Sequence, residues 1–166
     1  LEGVRLIQPE AAALPAATRG TGGRTDGPGR LAGVRVLLVE DGPDNQRLLA
    51  HVLIRAGATV VVADNGRDGV ERAFYAEARA EPFDAVLMDM QMPTMDGYEA
   101  SGRLRAAGFA RPIIALTAHA MAGDREKCLA AGCTEYLTKP IAPSVLVDAV
   151  ARVCAEARER AERPAA

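Results

Sequence analysis

Phe83-Asp84-Ala85-Val86-Leu87-Met88-Asp89 is a hydrophobic run that ends in a bare carboxylate, and Met92-Pro93-Thr94-Met95-Asp96-Gly97 follows almost at once as a loop. Ala85 to Met88 is apolar at consecutive positions, the pattern of a strand buried on both faces of a parallel sheet. An acid at the carboxyl end of such a strand lies where open α/β sheets place their ligand crevice. Three other stretches end in the same way. Val34-Arg35-Val36-Leu37-Leu38-Val39 runs into Glu40-Asp41, Pro112-Ile113-Ile114-Ala115-Leu116 into Thr117, and Thr134-Glu135-Tyr136-Leu137-Thr138 into Lys139-Pro140. With the strands as parallel neighbours, three carboxylates, one hydroxyl and one ammonium converge on one edge, a set that can bind Mg²⁺ and a phosphoryl group together.

From Val34 onward, strand and helix patterns alternate five times. Leu48, Leu49, Val52, Leu53 and Ala56 recur at helical spacing, and Gly57 stops that helix. Ala58 to Ala63 reads as the second strand, and Arg67 to Ala80 as a helix opened by Asn65-Gly66. Tyr98 to Ala107 and Ala122 to Ala131 read as helices closed by Gly108 and Gly132. The last helix starts near Ser144, with Leu146, Val150 and Val153 on one face. Such βα alternation means a parallel sheet with helices on both faces. Residues 1 to 33 lack either periodicity. Residues 16 to 32, with Gly20-Thr21-Gly22-Gly23, have linker composition, and residues 4 to 14 read as a short remnant of an upstream unit. The organisation expected is a largely flexible 1–33, a folded domain over 34–157 and a polar tail over 158–166. The chain opens on Leu1, so a piece of a longer protein is expected.

Composition narrows the function. The net charge of −2 gives no basic footprint for nucleic acid. No apolar run approaches the roughly 20 residues of a membrane span, and no signal-peptide pattern precedes the domain. Cys128, Cys133 and Cys154 are odd in number and lack zinc spacing, so they read as buried small hydrophobes in a reducing cytosol. His51, beside the core stripe of the first helix, reads as exposed surface. His119 lies on the loop after the fourth strand, without partners at metal-ligand spacing. Only Lys127 and Lys139 are lysines among 20 basic residues. Retaining Lys139 beside Pro140 in so arginine-biased a chain points to a compact, mobile ammonium with a task.

Each residue of the edge has a chemical role open to it. Mg²⁺ takes one or two carboxylates plus substrate phosphate and keeps several waters. Asp41 and Asp89 suit direct ligation, Glu40 suits contact through a water, and the backbone carbonyl of Gln91 completes the protein's share. Glu40 and Asp41 would also suit the start of the next helix, where acids favour the dipole, but that leaves Asp89 unexplained. Asp89 is the expected nucleophile, since carboxylates form aspartyl phosphates. Lys139 and the Thr117 hydroxyl would hold two other phosphoryl oxygens. Several carboxylates at one edge should raise at least one pKa.

The motif Val36-Leu37-Leu38-Val39-Glu40-Asp41-Gly42-Pro43-Asp44-Asn45-Gln46 resembles the opening of a two-component receiver domain. Met88-Asp89-Met90-Gln91-Met92-Pro93-Thr94-Met95-Asp96-Gly97 resembles its phosphorylation loop, and Ile113-Ile114-Ala115-Leu116-Thr117-Ala118 and Tyr136-Leu137-Thr138-Lys139-Pro140 its remaining signatures. The resemblance covers roughly residues 34 to 155. It implies a flavodoxin-like α/β fold with strand order 2-1-3-4-5 and five helices. It implies phosphoryl transfer from a phosphohistidine to Asp89, with Mg²⁺ held by Glu40, Asp41 and Asp89. It also implies a switch in which Thr117 is drawn toward the phosphate and Tyr136 turns inward, although ordinary packing accounts for Tyr136 equally well. A cis Lys139-Pro140 bond belongs to the same likeness. Two features depart from the pattern: Glu40 stands where Asp is frequent, and Gly42, where Asn or Glu is frequent, suggests a looser loop. In the family the positions of Gln91 and His119 influence hydrolysis rate.

Asn45-Gln46 and Ala118-His119-Ala120-Met121-Ala122-Gly123-Asp124 resemble receivers fused to sensor kinases most. The expected partners are therefore a histidine kinase or a histidine phosphotransfer domain, in the cytoplasm, with a parent that can itself be membrane-anchored. A stand-alone response regulator acting by protein contact is the alternative. An aspartate-based phosphohydrolase is a third reading, disfavoured because Gln91 occupies the place of its second acid. The unit itself would catalyse only its own phosphorylation and dephosphorylation.

Overall fold

The structure, a computed structural model, describes residues 29–165. Five strands, β1 (Arg35–Val39), β2 (Thr59–Ala63), β3 (Ala85–Asp89), β4 (Ile113–Thr117) and β5 (Glu135–Thr138), pair in parallel in the order β2-β1-β3-β4-β5. Helices α1 (Pro43–Arg55), α2 (Gly66–Ala78), α3 (Gly97–Ala106), α4 (Ala122–Ala130) and α5 (Pro143–Glu162) connect or follow them. This is the flavodoxin-like order and helix count expected.

Consecutive strand residues alternate between two cores, which is why the runs are apolar throughout. Val36, Leu38, Leu87, Ile114 and Leu116 pack with Leu49 and Leu53 of α1 and Leu146, Val150 and Val153 of α5. Leu37, Val39, Val86, Met88, Ile113 and Ala115 pack on the other face with Ala73 of α2, Ala100 and Leu104 of α3 and Cys128 of α4. All three cysteines are buried free thiols, and burial pushes Cys133 and Cys154 up to about 11. His51 and His119 are exposed.

The helix ends follow the glycine signals. At α4, Gly132 turns the chain at φ +101, the Gly132 N–H reaches the Leu129 carbonyl and the Cys133 N–H that of Cys128. Those paired bonds cap the helix and bring Cys133 back over Cys128 in the core. Asn65 and Asp96 accept from the backbone N–H groups of Asp68 and Glu99 and cap α2 and α3.

Two boundaries differ from the reading of the sequence. The stretch expected to be linker up to residue 32 contains Leu31, which is fully buried in the α1/α5 core. Its N–H donates to the Ala56 carbonyl, and Arg30 pairs with Asp148 of α5. One leucine among glycines carries no periodicity, so this anchor leaves no pattern. Residues 1–28, including the expected remnant over 4–14 and most of the linker, lie outside the described residues. At the other end, α5 runs unbroken through Glu162, past the expected boundary at 157. Ala157 and Ala161 line a groove of about 550 Å³ together with Phe74 and Phe109, and Arg158 lies near Asp84.

Candidate functional site

The strand register gathers the site. The ladder between β4 and β5 continues one residue beyond the pair Thr117–Thr138, with the Lys139 N–H donating to the Thr117 carbonyl at 2.7 Å. On the other side of β4, Asp89 stands opposite Leu116. Glu40 leaves β1 with its N–H on the Ala63 carbonyl. All four strand ends are therefore level, and a sequence separation of 99 residues closes to a 2.9 Å contact between Lys139 and Glu40. Lys139-Pro140 is cis. Gly97 lets α3 start directly beneath the loop: a Cβ there would lie 2.4 Å from the Asp89 carbonyl oxygen.

Lys139 Nζ sits between two acids, 2.9 Å from Glu40 Oε2 and 3.0 Å from Asp89 Oδ2. Asp89 is only 4% exposed, and its Oδ1 accepts from the Gln91 N–H at 3.0 Å. Burial raises the Asp89 carboxyl above its ordinary value of 3.8, and nearby Glu40 adds to the rise; the Gln91 N–H and Lys139 oppose it. The expected raised acid is thus present, with desolvation ahead of acid–acid repulsion as its cause. Lys139 is raised in turn, because its bonds to Glu40 and Asp89 outweigh its own desolvation.

Glu40 is 1% exposed. Its Oε1 accepts from the Gly42 N–H at 3.0 Å and lies 3.5 Å from Asn45 Nδ2. Gly42 has an unremarkable φ of −80, and a Cβ there would approach Glu40 Oε1 to 3.1 Å. The absence of a side chain at Gly42 leaves room for the backbone to close onto Glu40. Asp41 is exposed, and oxygens of Glu40, Asp41 and Asp89 lie within 4.8 Å of one another. Among the described residues Asp41 has no hydrogen bond or ion pair.

Thr117 is 1% exposed at the end of β4. Its hydroxyl accepts from the His119 N–H at 3.1 Å and lies 3.4 Å from the His119 carbonyl. It lies at the same edge, and its hydroxyl makes no hydrogen bond to Asp89. Tyr136 is half-buried against the α2/α3/α4 core. Gln91 is exposed.

Two contributors escape the reading of strand ends. β2 also runs into an acid, Asp64, and Gln46 Nε2 donates both to Asp64 Oδ1 at 2.9 Å and to the Glu40 carbonyl at 2.6 Å. The signal for Asp64 was the same as for Asp89: an apolar run, Val60-Val61-Val62-Ala63, closed by a carboxylate.

The model of the response regulator receiver domain matches residues 36–151, from β1 into α5. The chain belongs to the response regulator receiver domain family. Histidine kinase 1 of Arabidopsis thaliana is 37% identical over 72% of this chain, and BarA, a signal transduction histidine-protein kinase of Escherichia coli K12, is 44% identical over 64%. The receiver spans 13% and 11% of the lengths of these curated relatives. Among solved structures, the receiver domain of sensor histidine kinase PA1611 from Pseudomonas aeruginosa PAO1 is 40% identical with a TM-score of 0.66. That match covers 75% of this chain and 99% of that one, and in that structure a magnesium ion is coordinated in the active site cleft. Chemotaxis protein CheY4 of Vibrio cholerae is 31% identical with a TM-score of 0.67, over 74% of this chain and 99% of its own.

The donor set fits a hard divalent cation. One ammonium serves two of the three carboxylates and none serves Asp41, so the edge keeps surplus negative charge. All the donors are oxygens, and one acid, Asp41, is exposed and free to turn toward an ion.

Proposed function

We propose that this receiver takes a phosphoryl group from a phosphohistidine onto Asp89, within a phosphorelay fed by a hybrid sensor histidine kinase. The observation that carries the reading is the state of Asp89: a nearly buried carboxylate pinned by the Gln91 N–H and Lys139, with two further acids within 4.8 Å. An Asp89 oxygen attacks phosphorus, the bond from phosphorus to the imidazole nitrogen breaks, and the imidazole leaves with the electron pair and takes up a proton. In this reading Asp41 and Asp89 would hold Mg²⁺ directly, the Gln91 carbonyl would add a ligand, and Glu40 would contribute through a water. When bound there, Mg²⁺ offsets the repulsion between an anionic nucleophile and an anionic phosphoryl group.

Lys139 changes partner in the reaction. Its ammonium, shared between Glu40 and Asp89 beforehand, turns to a phosphoryl oxygen once the Asp89 carboxylate has become an acyl phosphate. Thr117 releases the His119 backbone to donate to another phosphoryl oxygen, and Tyr136 moves further into the α2/α3/α4 core as the edge closes. We take the receiver unit to run from Arg30 to Glu162. Its partners are a histidine kinase or a histidine phosphotransfer domain in the cytoplasm. Among the described residues no helix is long and apolar enough to cross a membrane.

Intact mass after incubation with a small acyl phosphate and Mg²⁺ tests the reading. One phosphoryl adduct is expected that requires Mg²⁺ and is missing in Asp89→Asn. An adduct that persists in the variant would move the nucleophile elsewhere.

A further inference from the structure

Asp41 differs from the other acids of the cluster. Glu40 and Asp89 are each held through both carboxylate oxygens, whereas among the described residues Asp41 has no side-chain partner. Its backbone, however, is fixed on both sides. The peptide before it is held by its carbonyl: Gln46 Nε2 donates to the Glu40 oxygen at 2.6 Å. The peptide after it is held by its N–H: Gly42 N donates to Glu40 Oε1 at 3.0 Å. Gln46 is itself anchored twice. Its own N–H donates to the Gly42 carbonyl at 2.9 Å in the first turn of α1, and its amide also donates to Asp64 Oδ1 at 2.9 Å.

We propose that Gln46 is a positioning residue for the cation site: its amide locks the Glu40–Asp41 peptide, so that Asp41 is presented to a divalent cation by its backbone alone. The inference rests on the Mg²⁺ reading given above. An exposed aspartate without side-chain support would otherwise lose rotational and backbone freedom at the moment of binding, and affinity would fall accordingly. A neutral amide suits the task. It offers two N–H groups to two oxygens, the Glu40 carbonyl and Asp64, and leaves the surplus negative charge of the edge in place for the ion. Arginine or lysine at this point would tie the same oxygens and compete electrostatically with the cation.

The test is calorimetric titration of the whole chain with Mg²⁺, paired with metal-free thermal unfolding. Gln46→Met keeps the side-chain length and removes both donors; Asp64→Asn keeps an acceptor for Gln46. Gln46→Met is expected to weaken Mg²⁺ binding about tenfold, the lower end of what outer partners of metal ligands contribute. Asp64→Asn is expected to weaken it less than Gln46→Met does. Gln46→Ala is the second variant should the methionine fail to fold. Mg²⁺ affinity equal to wild type in a folded Gln46 variant, whatever happens to its melting temperature, overturns the proposal. So does an equal loss in Asp64→Asn, since that would make the Asp64 charge the cause. A wild-type chain that binds no Mg²⁺ overturns the reading of the site itself and this inference with it.

Discussion

At the carboxyl ends of the strands Lys139 stands between Glu40 and Asp89, with Asp41 left over. At the amino ends Arg105 stands among four oxygens and none is a carboxylate. It donates to the carbonyls of Phe109, Arg111 and Gly132 at 2.7, 2.8 and 2.9 Å and lies 3.4 Å from the Thr134 hydroxyl. Burial lowers the Arg105 pKa, and no carboxylate is there to raise it again. Both networks tie loops that are far apart in sequence. In the lower one, at the amino ends, three of the guanidinium's N–H groups meet backbone carbonyls, a fourth points to the Thr134 hydroxyl, and no net anionic charge collects. The upper one is short of positive charge by design of its residues, so it gains by accepting a cation. Similar hydrogen-bonding machinery therefore gives a clamp at one end and a reactive edge at the other, and the deciding variable is the charge balance.

Removing the cation from each network should separate the two most sharply. Lys139→Met leaves Glu40 and Asp89 buried without a counter-charge, so metal-free stability should fall by about 3 kcal/mol, the lower end for a broken buried pair. Added Mg²⁺ should restore part of it, as chemical denaturation with and without the ion would show; a loss untouched by Mg²⁺ would contradict the charge argument. Arg105→Ala should cost about 1–3 kcal/mol through carbonyls left without donors. Its Mg²⁺-induced rise in melting temperature should match the wild type, because nothing in the lower network answers to the ion.

The pH response sharpens the contrast further. The Asp89 carboxyl is raised above 3.8 in the fold, so between 3.8 and its folded value the native state holds more protons than the unfolded one. Stability from this group therefore increases as the pH falls through the folded value and is fully gained near the unfolded value. Melting curves of metal-free protein should show Asp89→Asn more stable than wild type at neutral pH, with the gap closing on acidification. A gap independent of pH would mean that Asp89 is not the strained acid. The smallest effect concerns the loop after β3. Thr94 holds φ +72, in the left-handed region that disfavours β-branched residues. Thr94→Gly should stabilise the fold by up to about 1 kcal/mol, read by denaturant midpoint, and leave the lower network unaffected.

Most of the fold was written in runs of apolar residues that stop at polar ones. Val86-Leu87-Met88 before Asp89 and Ile113 to Leu116 before Thr117 told both the strands and the edge they share. The same pattern stands at Ala63-Asp64, where the Asn65-Gly66 that follows also has the residue types of a turn. Other features left no local trace. Leu31 enters the core from a glycine-rich stretch, and only the α1 and α5 surfaces it meets give it meaning. Helix α5 continues through a polar, alanine-rich stretch; two of its alanines, Ala157 and Ala161, line a groove together with Phe74 of α2 and Phe109 of the loop before β4. Arg105 acts mainly on backbone carbonyls and Gln46 on one carbonyl besides Asp64; every residue possesses a carbonyl, so those partners carry no residue type that could announce them.

Lys139 rides just beyond β5, one of the two edge strands of the sheet, which pairs with β4 alone and whose four residues are all half-buried. Peripheral strands with partial cover open at lower free energy than central ones. Brief detachment of β5 would carry the ammonium away while Glu40 and Asp89 stay on β1 and β3, which have neighbours on both sides. In amide-exchange experiments β5 should therefore exchange ahead of β1 and β3, and an anionic guest at the edge should slow it, since the guest would bind only while the strand is seated. Occupancy of the edge and order of its border strand would then be one equilibrium observed from two sides.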